Sequence, residues 1–322
     1  VTYAAALYPL NDTRIPMTWT APEVVIVPTT SEDMALATEL AQRSGLVQHG
    51  GLRQRSRLKS DEEATHSRND GSWMLKVHNQ QLTLIRPDGL NVAIDFINGK
   101  AFRRTQEANF KSQPLARALG LKNEGLKNQG LKNEGLKNSR LQKPGLQKLD
   151  TNSHPGKNHP TVIDATAGLG IDGWMMAHLG CSVRLIEVST VLSLMLEQAV
   201  IAQDSFASSD ERLCVINANA VDYLNNNDSA RADIIYLDPM YPQRRNKSLV
   251  KKGMQLLHEL IGPDNNGPAL LHAALNKSDY RVVVKRPKGA PQLAGSEHWT
   301  GQITQVDSPN TRYDIYHIQT SQ

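Results

Sequence analysis

From residue 160 onward the sequence predicts an α/β fold, a doubly wound parallel sheet with helices on both faces, preceded over residues 1–120 by a small α+β domain. Three observations carry this. Past 160, short Val- and Ile-rich runs alternate with amphipathic stretches of helical period, and strands separated by helices pair in parallel. The first of these strands passes through Asp164-Ala-Thr-Ala-Gly168-Leu-Gly170 directly into a helix, the turn at which open α/β sheets take their ligands. Before 120 the alternation has period two and falls in adjacent runs joined by short turns, as in antiparallel hairpins.

The elements follow in order. Val24-Val-Ile-Val27 is a strand, and Ser31-Glu-Asp-Met34 opens a helix, with Ser31 as N-cap and acids in its first turn, that ends near Gly45. Trp73–Val77 and Gln81–Ile85 alternate as a hairpin, and Val92–Phe96 adds a further strand. Arg53, Arg55, Arg57 and Lys59 read as a solvated loop face. Residues 121–159 are a low-complexity linker. Gly120-Leu-Lys-Asn-Glu124 recurs with a period of five that fits neither helix nor strand, and each glycine costs a helix about 1 kcal/mol. Strands then fall at 162–166, 183–187, 213–217, 234–238, 281–285, 302–306 and 313–318, with helices at 172–179, 191–203, 249–261 and 268–276. Val191, Met195, Ala199 and Val200 share one apolar helix face, which belongs to the core.

Composition excludes several classes. The chain has 322 residues, 39% hydrophobic and 21% charged. It lacks the roughly 18 consecutive apolar residues of a membrane span, and Val1–Tyr8 carries no basic flank of a secretory signal. Cys181 and Cys214 make neither a disulfide framework nor a metal cluster, so a cytoplasmic protein without metal is expected. The net charge of +4 sits in residues 120–159, with 8 basic and 3 acidic side chains; the remainder is −1. Bulk charge is therefore no argument for a polyanionic partner.

At the end of the first strand of the large sheet, Gly168 and Gly170 permit a tight turn and close approach to a ligand, in front of a positively polarised helix N-terminus. Glu187 lies 19 residues past Gly168, where a carboxylate can accept hydrogen bonds from both hydroxyls of a ribose. Asp164, ahead of the glycines, would repel a pyrophosphate but suits a ligand with a cationic amino group. S-adenosylmethionine, with its ammonium and sulfonium, fits better than a nicotinamide dinucleotide. Asn217-Ala-Asn219-Ala220 either meets an adenine edge or caps the next helix.

The fourth strand ends in Leu237-Asp-Pro-Met-Tyr-Pro242, which resembles the [DN]PP[YF] motif of methyltransferases that act on exocyclic amino groups. Such an amine is a poor nucleophile because its lone pair is delocalised into the base. Asp238 and the Pro239 carbonyl can accept its N–H bonds and free the lone pair, while Tyr241 offers a face on which an unstacked base can lie. Arg244, Arg245, Lys247, Lys251 and Lys252 follow, and Lys285 and Arg286 end the next strand, a basic rim suited to RNA phosphates.

Together, Asp164-Ala-Thr-Ala-Gly-Leu-Gly170, Leu237-Asp-Pro-Met-Tyr-Pro242, Ser248-Leu-Val-Lys-Lys252, Val282-Val-Val-Lys-Arg-Pro287 and Arg312-Tyr-Asp-Ile-Tyr316 closely resemble the ribosomal RNA small-subunit methyltransferase J family over 160–318, and more weakly over Val92–Phe96, Phe102-Arg-Arg104 and Ala116–Gly120. The resemblance implies a class I S-adenosylmethionine-dependent methyltransferase fold and transfer to the N2 of a guanine in 16S rRNA, within the small ribosomal subunit. It places cofactor contacts on Ile171, Asp172, Glu187, Val188, Asn219, Ala220 and Asp238. The chain departs from the family at four of these. Ile171 and Val188 stand where the family has arginine, and Asn219 and Ala220 where it has serines, so any contact there runs through the backbone. The repeat linker has no counterpart in the family. An adenine-N6 methyltransferase and a ribosome-assembly factor without catalysis remain alternatives, with a nicotinamide oxidoreductase behind both.

Overall fold

The computed structural model describes residues 21–48, 71–105, 113–121, 160–202, 212–239, 252–262 and 266–319. Arg53, Arg55, Arg57, Lys59 and the repeat stretch beyond Leu121 lie outside them, as do Tyr241, Arg244, Arg245, Lys247 and Lys251.

The first sheet has the order β2-β1-β3-β4-β5, formed by β1 (Val24–Pro28), β2 (Val47–Gln48), β3 (Trp73–His78), β4 (Gln81–Ile85) and β5 (Asn91–Ala93). Asn79 and Gln80, both at positive φ, close the β3–β4 hairpin in the two-residue form whose twist matches the strands. Helix α1 (Asp33–Ser44) ends at Gly45 in the left-handed region (φ 70°), as expected. Its cap differs from the expectation. The Thr30 hydroxyl accepts the Asp33 N–H (3.2 Å) and the Asp33 carboxylate accepts the Thr30 N–H (3.2 Å), so Thr30 rather than Ser31 closes the capping box. The strand expected over 92–96 stops at Ala93, because Asp95 Oδ1 accepts the N–H groups of Ile97 (2.9 Å) and Asn98 (2.8 Å) and turns the chain. Helices α2 (Lys100–Thr105) and α3 (Pro114–Ala118) follow, and α3 packs on the last two strands of the second sheet.

The second sheet contains β6 (Thr161–Asp164), β7 (Ser182–Glu187), β8 (Leu213–Asn217), β9 (Ala232–Leu237), β10 (Ser278–Pro287), β11 (Ile303–Asp307) and β12 (Thr311–His317), in the order β11-β12-β10-β9-β6-β7-β8. The five strands from β8 to β10 run parallel; β12 and β11 are antiparallel at the edge. Side chains alternate between two cores. Val162, Tyr236 and Val283 join α4 (Ile171–His178), α5 (Thr190–Ile201), α3, α7 (Lys252–Ile261) and the first sheet. Ile163, Ile235 and Val282 join α6 (Ala220–Asn225) and α8 (Gly267–Lys277). Helix α6, given no bounds in the sequence expectation, is short and is capped by Asn219. The buried Asp233 carboxylate ties β9 to β6, accepting both the N–H and the hydroxyl of Thr161 at 2.8 Å.

Phe96 stacks on Trp174 of α4 at 4.9 Å and 3°, and Arg43–Glu197 and Arg86–Glu259, both at 2.6 Å, link α1 to α5 and the residue after β4 to α7. The first sheet thus shares the core of the second. Strand order reverses across β6 and β9, and the crevice above that reversal is where the site lies. Among the described residues no helix is long and apolar enough to cross a membrane, and no group of three His, Cys, Asp or Glu could hold a metal ion.

Candidate active site

A cavity of about 760 Å³ opens at the carboxyl ends of β6 to β10, within the size range of small-molecule sites. Of the residues expected to hold a cofactor, Asp164, Gly168, Ile171, Asp172, Glu187, Val188, Asn219, Ala220 and Asp238 line it. Gly170 is not among the lining residues. It sits at φ 71° as the residue before α4, and a Cβ there would come within 2.5 Å of Leu196 and 3.0 Å of Phe96. The turn is as expected, but the close approach is to the core rather than to a ligand. Gly173 has the role of the third glycine in a nucleotide-binding turn, since a Cβ there would come within 2.2 Å of Leu185 and 3.2 Å of Asp164. The spacing Gly168-x-Gly170-x-x-Gly173 was the signal for it in the sequence.

The donor end is built by loop geometry. Gly168, at φ 54°, gives its N–H to Glu187 Oε2 (2.9 Å), and Ser189 gives its N–H to Oε1 (2.8 Å). Each Glu187 oxygen keeps a lone pair for a further donor. Burial pushes the Glu187 carboxyl up to about 7, although those two N–H groups pull it down. Asp164, almost fully buried, is pushed up to about 8 by burial first and the Asp172 charge second. Thr166, which the sequence reading passed over, accepts the Asp238 N–H at 2.6 Å and so joins the ends of β6 and β9.

The other end is a charged network. Lys285 Nζ donates to Asp172 Oδ2 (2.6 Å) and to Asp238 Oδ2 (2.8 Å), and the Tyr236 hydroxyl donates to Asp172 Oδ2 (2.7 Å). Burial raises Asp238 above its ordinary value, with the Lys285 charge opposing it. Burial also works against the Lys285 ammonium, but Asp172 and Asp238 outweigh it and hold it well above its ordinary value. Tyr236, buried beside Asp172 and Asp238, is held well above its own. Tyr236 and Asp238, two apart at a strand end, had the spacing of same-side residues.

This corrects two expectations for RNA contact. Lys285 does not stand on an outer rim: its ammonium is committed inside the cavity to two carboxylates. Arg286 is 4% exposed and its Nε donates to the Pro291 carbonyl, so its guanidinium is no surface phosphate ligand. Consecutive strand residues face opposite ways, and the two could not have shared one surface. Lys252 begins α7.

Asn219 caps the next helix, its side chain accepting from the N–H groups of Val221 and Asp222, and it also lines the cavity. Leu257, Ile261 and Leu270 supply an apolar wall from α7 and α8, and Ile171 and Val188 stand 41% and 54% exposed at its rim. Carboxylates at both ends, hydrogen-bond acceptors at Glu187 and an apolar wall fit S-adenosylmethionine, which joins a cationic amino acid to a ribose and a flat base.

A family model described as "Putative SAM-dependent methyltransferase" matches residues 142–318. The chain is 39% identical to the ribosomal RNA small subunit methyltransferase J of Hydrogenovibrio crunogenus, over 74% of each protein. It is 37% identical to the namesake in Nitrosococcus oceani, over 74% of this chain and 81% of the relative. In structure it is similar to a SAM-dependent methyltransferase from Neisseria gonorrhoeae, with a TM-score of 0.59 and 23% identity, covering 92% of this chain and 97% of that one.

Proposed function

The chain belongs to the ribosomal RNA small subunit methyltransferase J family, SAM-dependent methyltransferases, and from that membership we propose that it methylates the exocyclic N2 of a guanine in 16S rRNA. The observation that carries this reading is the placement of Asp238, followed by Pro239, at the end of β9 on the wall of the donor cavity.

The bound donor supplies a methyl group on a positively charged sulfur, an electrophile for a nitrogen lone pair. The remaining work falls to the chain's own residues. Asp164 and Asp172 give the donor's cationic end a negative surrounding, and Glu187 offers a lone pair on each oxygen to its ribose. Asp238 and the Pro239 carbonyl accept the N–H bonds of guanine N2, favour a pyramidal nitrogen and localise its lone pair. The proton released as nitrogen gains its fourth bond has the Asp238 carboxylate as its nearest acceptor. Tyr241 stacks the extruded base, and Arg244, Arg245, Lys247, Lys251 and Lys252 meet phosphates. The apolar wall from α7 and α8 keeps water from the reacting atoms.

We place the substrate in the small ribosomal subunit, hence in the cytoplasm. The test is transfer of tritiated methyl from labelled donor to small subunits from a strain lacking the enzyme, alongside protein-free rRNA. The reading predicts label in the 16S rRNA, with the assembled subunit the better substrate; no label in either refutes it.

A further inference from the structure

Among the described residues that line the cavity, Lys285 alone brings an ammonium to the carboxylates, and its place differs from the rim position expected from sequence. Lys285 is set in place by register. On β10, Val284 pairs with Leu237 of β9, which brings Lys285 beside Asp238, and Lys285 itself pairs with Tyr313 of β12. From there its Nζ reaches Asp172 on the first turn of α4 at 2.6 Å and Asp238 at 2.8 Å. The two acids have different functions in the reading above, Asp172 facing the donor's cationic group and Asp238 the target amine.

We propose that Lys285 is a positioning residue for methyl transfer, its ammonium clamping Asp172 and Asp238 together so that the carboxylate facing the target amine is fixed relative to the donor end. This rests on the reading that Asp238 receives the target's N–H.

Three features support a clamp over a phosphate contact or a purely structural ion pair. The Lys285 side chain is only 26% exposed, and moving its ammonium out to a phosphate would leave two carboxylates facing one another across the cavity. The Tyr236 hydroxyl donates to the same Asp172 oxygen, so Asp172 is held from β9 and β10 at once. Lastly, burial raises Asp238 and the Lys285 charge is the largest influence opposing it, with Asp172 raising it further and Arg286 lowering it, so the ammonium that touches this carboxylate also favours its ionised form. Among the described residues, the charged or titratable groups around this pair are Asp164 at the end of β6, Asp172 on α4, Tyr236 on β9, Lys285 and Arg286 on β10, and Tyr313 on β12.

The test is the pH profile of single-turnover methyl transfer to small subunits, for wild type, Lys285→Met and Lys285→Arg, with donor affinity and melting temperature measured on each. For Lys285→Met the clamp predicts a single-turnover rate lowered on the order of 10²-fold at neutral pH. It also predicts an acid limb displaced upward by about one pH unit or more, because Asp238 then titrates beside Asp172 without its cation. Donor affinity should change far less than the rate. Lys285→Arg keeps the charge and should hold the limb at the wild-type position. A limb that stays in place in Lys285→Met, whatever the rate does, overturns the clamp. So does a limb displaced from the wild-type position by about one pH unit in Lys285→Arg, which decides the matter even if the Met variant does not fold. Wild type in the same assay separates the two claims: no transfer by wild type refutes the methylation reading itself, whereas normal wild-type transfer with an unmoved Lys285→Met limb refutes the clamp alone.

Discussion

Asp164 and Glu187 are the residues at which chemistry and stability pull against each other. Both are buried carboxyls pushed up, to about 8 and about 7, by the loss of water around them. In the unfolded chain they titrate near 4. Below that, both states hold the protons and the two residues leave folding undisturbed. As pH rises, the unfolded chain ionises first, and by the time the folded carboxyls ionise the native state has lost that advantage. The donor-free protein should therefore lose melting temperature between about pH 5 and pH 8, and Glu187→Gln should flatten part of the decline. Donor affinity should run the other way. A cationic ligand favours ionised Asp164, so binding should tighten and release protons over the same range, which calorimetry in buffers of different ionisation enthalpy would read. A pH-independent melting temperature would show that these carboxyls are ionised throughout.

Among the elements, β6 with the turn into α4 positions more of the site than any other. Gly173 lets α4 lie against β7, and Gly173→Ala would drive a methyl into the buried Leu185 side chain and toward Asp164. Overpacking of this kind costs about 1–3 kcal/mol. The variant should melt several degrees lower and bind donor more weakly, and unchanged donor affinity would mean that α4 can slide without disturbing Asp164. The central strands were legible in the sequence because burial on both faces demands continuous apolar runs such as Ile234-Ile-Tyr-Leu237. The acids at their ends were legible because charge beyond a buried strand has few structural uses. Other features were not. Helix α6 has six residues, too few for a periodic pattern, and Thr30 and Ser31 both satisfy cap preferences until hydrogen bonds choose between them. The place of Lys285 depends on which strand lies next to β9, and strand order is not written in local periodicity.

At the scale of the molecule, the two sheets share one core, and the N-terminal part reaches the site indirectly. Phe96 stacks on Trp174 and packs against Gly170, so it braces the turn that carries the donor loop. The repeat stretch carries the basic excess, and the residues assigned to donor and amine lie outside it. Replacing residues 122–159 with a Gly/Ser linker of equal length should leave methylation nearly unchanged, and a large loss would give the stretch a part in holding RNA. The central claim, that this cavity delivers a methyl group to guanine N2 through Asp238, meets its most direct test in mass-spectrometric mapping of 16S rRNA from small subunits treated with wild type or Asp238→Ala. The account predicts a methyl on guanine N2 with wild type and, with Asp238→Ala, a loss of roughly 10²–10⁴-fold in rate while donor binding persists. A methyl on adenine N6, or full methylation by Asp238→Ala, would contradict it.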